Sequence, residues 1–321
     1  MSFFKLENIS KKMDFITPIA PLGANSNQIT IKNFNEIETL PLGVAYFVDG
    51  GVQEIFSKGE QSFYFLRFAY VKFKETKRVE QKVFETFIKI NTSFPFKFEF
   101  SNELAFFKSG IDISDNDVLI NCKNIQDCDI EVFINRIRRV MELKLSISIA
   151  KRMNEGEIIV LDGSIYPSDY DIEEIKDLIA LSSNKKIELI GFSKNSLIKS
   201  HSGSVLNEEI LNFSKQMNLG KWACINVFSQ SSLKINTSYA YLHPLSDFCF
   251  RVDHLSNPIF SLGRLSANSS DGSFLGYPYG LIIVDKLARV KNEEKDYIYS
   301  KYFLSKNLNE KQNPHEILDN M

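Results

Sequence analysis

The chain has 321 residues, of which 44% are hydrophobic, 24% charged and 12% aromatic. That is the balance of a soluble globular protein, and it excludes collagen-like, low-complexity and wholly disordered chains. A formal net charge of −2 and a pI of about 6.2 do not announce a nucleic-acid binder, although a basic groove is compatible with a balanced total.

No apolar run approaches the ~20 residues that a membrane helix needs, so no membrane association is expected. The opening MSFFKLENISKKMDF has neither a long apolar stretch nor a small-residue cleavage site, which predicts a cytoplasmic chain without a secretion signal. No repeat and no Pro/Gly/Ser-rich linker stands out, so a single domain over 1–303 with a polar tail at 304–321 is expected. Four cysteines (Cys122, Cys128, Cys224 and Cys249) show no CxxC pairing and no clustered histidines, which fits a reduced cytosolic protein without zinc.

In chain order, GVAYFVDGG at 43–51 reads as a buried strand, short and nearly continuously apolar. The phenylalanine-rich stretch 60–108 alternates large apolar and polar residues, as antiparallel strands do, and is read as a β-rich insertion. Asp129 is a plausible N-cap for a helix over 130–153 that is apolar on more than one side. EIIVLDGS (157–164) and IELIGFSK (187–194) are again buried strands, with helices expected at 171–182 and 207–218. Segment 221–262 reads as strands (WACINVF, SYAYLHPL, FCFRVD, PIFSLGRL), and a helix is expected from Tyr279, after Pro278. In open α/β sheets ligands gather beyond the carboxyl ends of strands, where the first, second and third apolar strands all end in polar residues and glycine.

Asp49 and Asp162 each close a hydrophobic strand and precede glycine. A carboxylate at a buried strand end is costly unless paired, hydrogen-bonded or bound to a cation. DG is also a common turn, so each motif is ambiguous by itself. Glu142 sits mid-helix, where either a site or an i−4 contact with Arg138 accounts for it. Asp285 shares a helical face with Leu281, Ile282 and Ala288 and so points inward, where it needs a cation or, as a structural aspartate, hydrogen-bond donors. Lys194 closes the third strand and either would neutralise phosphate or developing charge or is a solvated lysine after a strand. Arg251 alternates with aromatics and reads either as a groove residue or, in the simpler reading, as a rim partner of Asp253. His201, His243 and His254 show no ligand spacing, and His315 falls in the polar tail. Carboxylates from separate elements without a His/Cys cluster suggest hard-cation chemistry, in which Mg²⁺ or Mn²⁺ ions act on a phosphodiester. There is no GxxxxGK[ST] loop and no GxSxG elbow.

The ordered set FVDGG (47–51), RRVMELKL, IIVLDGS (158–164), LIGFSK (189–194), FRVD (250–253), GYPYGLIIVD (276–285) and PHEILD (314–319) resembles the NurA nuclease family over nearly the whole chain. The resemblance implies an α/β fold with an RNase H-like core, a mixed sheet flanked by helices. It also implies a Mn²⁺-dependent nuclease, with Mg²⁺ the alternative ion, acting on single- and double-stranded DNA ends. Members form homodimers that work with a HerA-type hexameric ATPase in end resection and recombinational repair. Carried over, Asp49, Glu142, Asp162 and Asp285 are the metal carboxylates, and Lys194 and Tyr279 complete the catalytic set. This sequence reads DGG where many members have DGS, YPYG in place of YPYP, and Asp285 where some relatives have histidine. The alternatives are a non-catalytic adaptor for a translocase and another RNase H-like nuclease. A haloacid-dehalogenase phosphatase would need a DxD, which Asp162-Gly163-Ser164 lacks.

Overall fold

The structure is a computed structural model that describes residues 15–91 other than 22, 97–100, and 129–301 other than 195. Cys122, Cys128, His315, the end of the aromatic stretch and the tail from 304 lie outside the described residues. The strands are β1 (Asn25–Ser26), β2 (Phe34–Glu36), β3 (Val44–Lys58), β4 (Gln61–Lys74), β5 (Lys77–Asn91), β6 (Lys97–Phe100), β7 (Ile158–Asp162), β8 (Glu188–Ser193), β9 (Trp222–Gln230), β10 (Ile235–Tyr241) and β11 (Phe250–His254). The helices are α1 (Ile130–Arg152), α2 (Ile172–Lys185), α3 (Leu206–Ser214), α4 (Ile259–Ser266), α5 (Tyr279–Ala288) and α6 (Asn292–Tyr299). The chain divides into two compact units.

One unit contains Gly43–Asp162, Tyr166–Leu189 and the chain from Tyr279. Its sheet runs β7-β3-β4-β5-β6, and Glu188 at the start of β8 donates its N–H to the Glu157 carbonyl (3.0 Å). β3, β4 and β5 form an antiparallel meander, and β7 joins β3 in parallel. This mixed, helix-flanked sheet is the α/β core expected. The aromatic stretch is antiparallel as read, and its strands extend the sheet directly from β3 through a turn at 59–60.

The first half of β3 is buried on both faces because α1 and α5 both pack against it. That explains its unbroken apolar run. α1 starts as its cap predicts, with the Asp129 side chain accepting from the Glu131 N–H. It buries Phe133, Ile137, Val140, Met141 and Leu145, a face wide enough to carry Glu142 inward with them. A smaller apolar cluster joins Ile55, Phe65 and Phe87 of the meander to Val290 and to Ile298 of α6.

The other unit holds residues 15–42, Gly163–Ile165 and Ile190–Pro278. Its antiparallel strands run β1-β9-β10-β11-β8, with β2 also on β9. Trp222, Phe213, Phe228, Tyr239, Ile210 and Ile29 are among the side chains of its core. Cys224 and Cys249 are buried, unbridged members of the same cluster. PIFSLGRL, expected as a strand, is the helix α4. Its apolar spacing is helical, with Leu262 and Leu265 buried three residues apart, and Asn257 Oδ1 accepts from the Ile259 N–H (3.1 Å) at its start.

Arg251 does meet Asp253, but at no rim. Asp253 is fully buried and accepts from Arg251 Nε (2.9 Å), Thr237 Oγ1 (2.7 Å) and Ser164 Oγ (2.6 Å). A buried carboxylate is tolerable only when so many donors converge on it. His254 is likewise structural: its ring lies between Ser238 Oγ (2.8 Å) and the Ser256 carbonyl (2.6 Å), and burial pushes its pKa down to about 4.

Candidate metal centre

Parallel pairing places Val48 opposite Leu161, so the next residues, Asp49 and Asp162, emerge side by side. Asp162 is the last residue of β7, whereas β3 does not stop at its Asp-Gly-Gly as expected but runs on to Lys58, because the residues after Asp49 pair with β4. Neighbouring strands are about 4.8 Å apart, which is the spacing needed for two carboxylates to share one ion. Asp285 arrives from α5. Asp49, Asp162 and Asp285 each offer a carboxylate oxygen, and these oxygens lie within 4.8 Å of one another.

α5 reaches this depth because two glycines allow it. A Cβ on Gly280 would overlap the Phe47 ring, and a Cβ on Gly51 would overlap the Ala288 carbonyl oxygen. Both are positions where the sequence reads differently from the pattern it resembles. Tyr279 opens α5, half-exposed, with its ring edge-on to Phe73 at 6.2 Å.

Glu142 is buried on α1 and borders the trio without belonging to it. Its Cγ and Oε1 would stand 2.8 Å from a Cβ on Gly50. The carboxylate is held by Arg138, which also donates to the Gly50 carbonyl (2.9 Å), and by Arg139 at 3.6 Å. The expected i−4 contact with Arg138 therefore forms, with the Glu142 charge beside Asp49. Sequence reasoning treated Arg138 only as a surface partner and passed over Arg139; the RR preceding VMELKL was the available signal. Arg139 also reaches Asp171 at 3.6 Å. Lys194 belongs to the other unit and is exposed, its Nζ over the rings of Tyr277 (5.2 Å) and Phe274 (5.7 Å).

The electrostatics around Asp49 favour a cation. Burial pushes the Asp49 pKa up from 3.8 to about 8, and the charges of Glu142 and Asp162 push the same way. The Gly50 N–H (2.7 Å) and Arg138 pull it back only partly. Burial also raises Glu142, against the pull of Arg138 and Arg139. Acidic groups crowded in low dielectric are stable when a divalent ion replaces the missing positive charge. An all-oxygen donor set suits Mn²⁺ or Mg²⁺.

A pH dependence follows. In the unfolded chain Asp49 ionises near 3.8, whereas in the metal-free folded state it holds its proton to about 8. Between these values unfolding releases a proton, so rising pH favours the unfolded chain. The Tm in EDTA is expected to fall from pH 4 towards pH 8 through this group, and Asp49→Asn should remove that slope. Mn²⁺ added at pH 7 should displace the proton, seen as buffer-dependent heat in titration calorimetry. Binding without proton release would contradict the assignment.

Beside the trio is a cavity of about 250 Å³, lined by Asp49, Gly51, Gln53, Asp285, Arg289 and Val290 among others.

No family model matches the sequence, and no curated protein matches it. Solved structures do match the fold. The NurA nuclease from Sulfolobus solfataricus aligns with a TM-score of 0.54 at 13% identity, over 88% of this chain and 89% of that one. A second NurA structure gives 0.51 at 9% identity, over 90% and 93%. A NurA structure with manganese gives 0.52 at 10% identity, over 88% and 92%. The chain therefore has an α/β fold, a mixed sheet with helices on its faces. More narrowly, that fold is the one seen in the NurA structures.

Proposed function

We propose that this protein is a NurA-type, metal-dependent DNA nuclease. The observation that carries the reading is the convergence of Asp49, Asp162 and Asp285, distant in sequence, to within 4.8 Å of one another. The three aspartates would hold the ion, Mn²⁺ by preference or Mg²⁺. When bound, such an ion supplies Lewis-acid charge and an acidified water for phosphodiester hydrolysis.

The chain's own residues do the rest. Arg138 ties Glu142 to the Gly50 carbonyl and so fixes the backbone that presents Asp49. Glu142 adds negative charge beside Asp49 and completes the acidic set in this reading. Tyr279 and Lys194 are carried as members of the catalytic set on the resemblance of their motifs alone. The same reading makes the protein a cytoplasmic homodimer, acting with a HerA-type hexameric ATPase on DNA ends in resection and recombinational repair. None of the described helices is long and apolar enough to cross a membrane.

The test is end-labelled single- and double-stranded DNA incubated with the protein and Mn²⁺, and in parallel with EDTA. Cleavage with Mn²⁺ that EDTA stops is the expected result. An inert protein that still binds a translocase would instead make it an adaptor.

A further inference from the structure

Arg289 lines the cavity beside the trio, and two other guanidinium groups donate to backbone carbonyls of its lining residues; those two are committed. Arg67 is locked between Glu85 and Glu294, and donates to the Arg289 carbonyl at 3.4 Å. Arg138 is taken up by Glu142 and the Gly50 carbonyl. Arg289 differs: it follows the last turn of α5, its side chain is 63% exposed, and it lines the cavity. Its Nη2 donates to Asp285 Oδ2 at 2.7 Å. That carboxylate is one of the three converging on the ion position.

A cation held by the trio competes for the charge of Asp285, because a dication at coordination distance outbids the weak pairing of a solvent-exposed arginine. The fork of Arg289 is then released at the mouth of a cavity large enough for a phosphate and its sugar. A planar guanidinium is the side chain best shaped to grip a phosphate by two hydrogen bonds.

We infer that Arg289 binds a backbone phosphate of the nucleic acid once a cation occupies the three aspartates, and that Asp285 holds it in reserve until then. The inference rests on the nuclease reading and adds the residue that recognises substrate. It makes DNA binding and cation binding mutually supportive, since each relieves Asp285 of a competing partner.

The test is fluorescence anisotropy with a short fluorescein-labelled oligonucleotide, with calcium in place of manganese and, separately, with EDTA. Arg289→Ala is expected to weaken binding about tenfold in calcium. The slope of log affinity against log salt should fall by about one. In EDTA wild type and variant should differ much less. Arg289→Gln, which keeps the stem, serves as a second variant, and an unchanged Tm shows that either is folded. Wild-type affinity and salt slope for both variants in calcium would overturn the inference while leaving the nuclease reading intact. A wild-type protein that binds no DNA in either condition would remove both.

Discussion

Asp162→Ala abolishes Mn²⁺-dependent DNA cleavage and leaves the protein folded. We expect a loss of at least about 10³-fold in rate, or roughly 4 kcal/mol of transition-state stabilisation. The magnitude follows from position: Asp162 is the β7 member of a trio whose oxygens lie within 4.8 Å of one another. Two carboxylates cannot gather the charge of three. The fold survives because the substitution removes a repulsive charge rather than a packed apolar group. Asp162 is one of the charges that raise Asp49, so in the variant Asp49 should also titrate lower. An end-labelled DNA assay and a thermal melt in EDTA check both halves. Wild-type cleavage by Asp162→Ala would dismiss the site.

Gly280→Ala destabilises the protein, against the ordinary rule for helices. Alanine in place of glycine inside a helix gains about 1 kcal/mol from propensity. At Gly280 the added methyl overlaps the ring of Phe47, which is completely buried and wedged edge-to-face against Phe73 at 5.8 Å. Overpacking of this kind costs about 1–3 kcal/mol, and a ring fixed on both sides puts the cost at the upper end. The net is a loss of about 1–2 kcal/mol and a Tm lowered by a few degrees. The larger consequence is at the site. Relief comes by lifting α5 off β3, and Asp285 rides on α5. Mn²⁺ affinity should therefore fall more than stability does. Gly51→Ala meets the Ala288 backbone oxygen, which has no rotamer to yield, and should move Asp285 further still. Calorimetric titration of Mn²⁺ into the folded variants decides this; unchanged affinity in both would show that the glycines do not set the depth of the helix.

These two glycines mark the boundary of what the chain reveals by inspection. The strand end at Asp162 is legible because an apolar run that stops at Asp-Gly has few physical explanations; the same pattern at Asp49 misled, since β3 continues through it, and it is parallel pairing that makes the two acids neighbours. Asp285 is legible as well, since its apolar neighbours at helical spacing turn it inward. The α1 cap at Asp129 is a local signal and forms as expected. Local signals misled at PIFSLGRL, where a short apolar run suits either periodicity and only packing selects the helix.

The sequence by itself thus determined which apolar runs stop at acids, which helix turns an acid inward and what kind of ion such oxygens suit, because those properties depend on residues adjacent in the chain. Tertiary structure alone decided that Glu142 is clasped by Arg138, that Asp253 is buried among Arg251, Thr237 and Ser164, and that Arg289 rather than Arg67 stands exposed beside the trio. Those facts depend on how closely backbones approach and on which charges remain unscreened when they do. No spacing along a chain records either one.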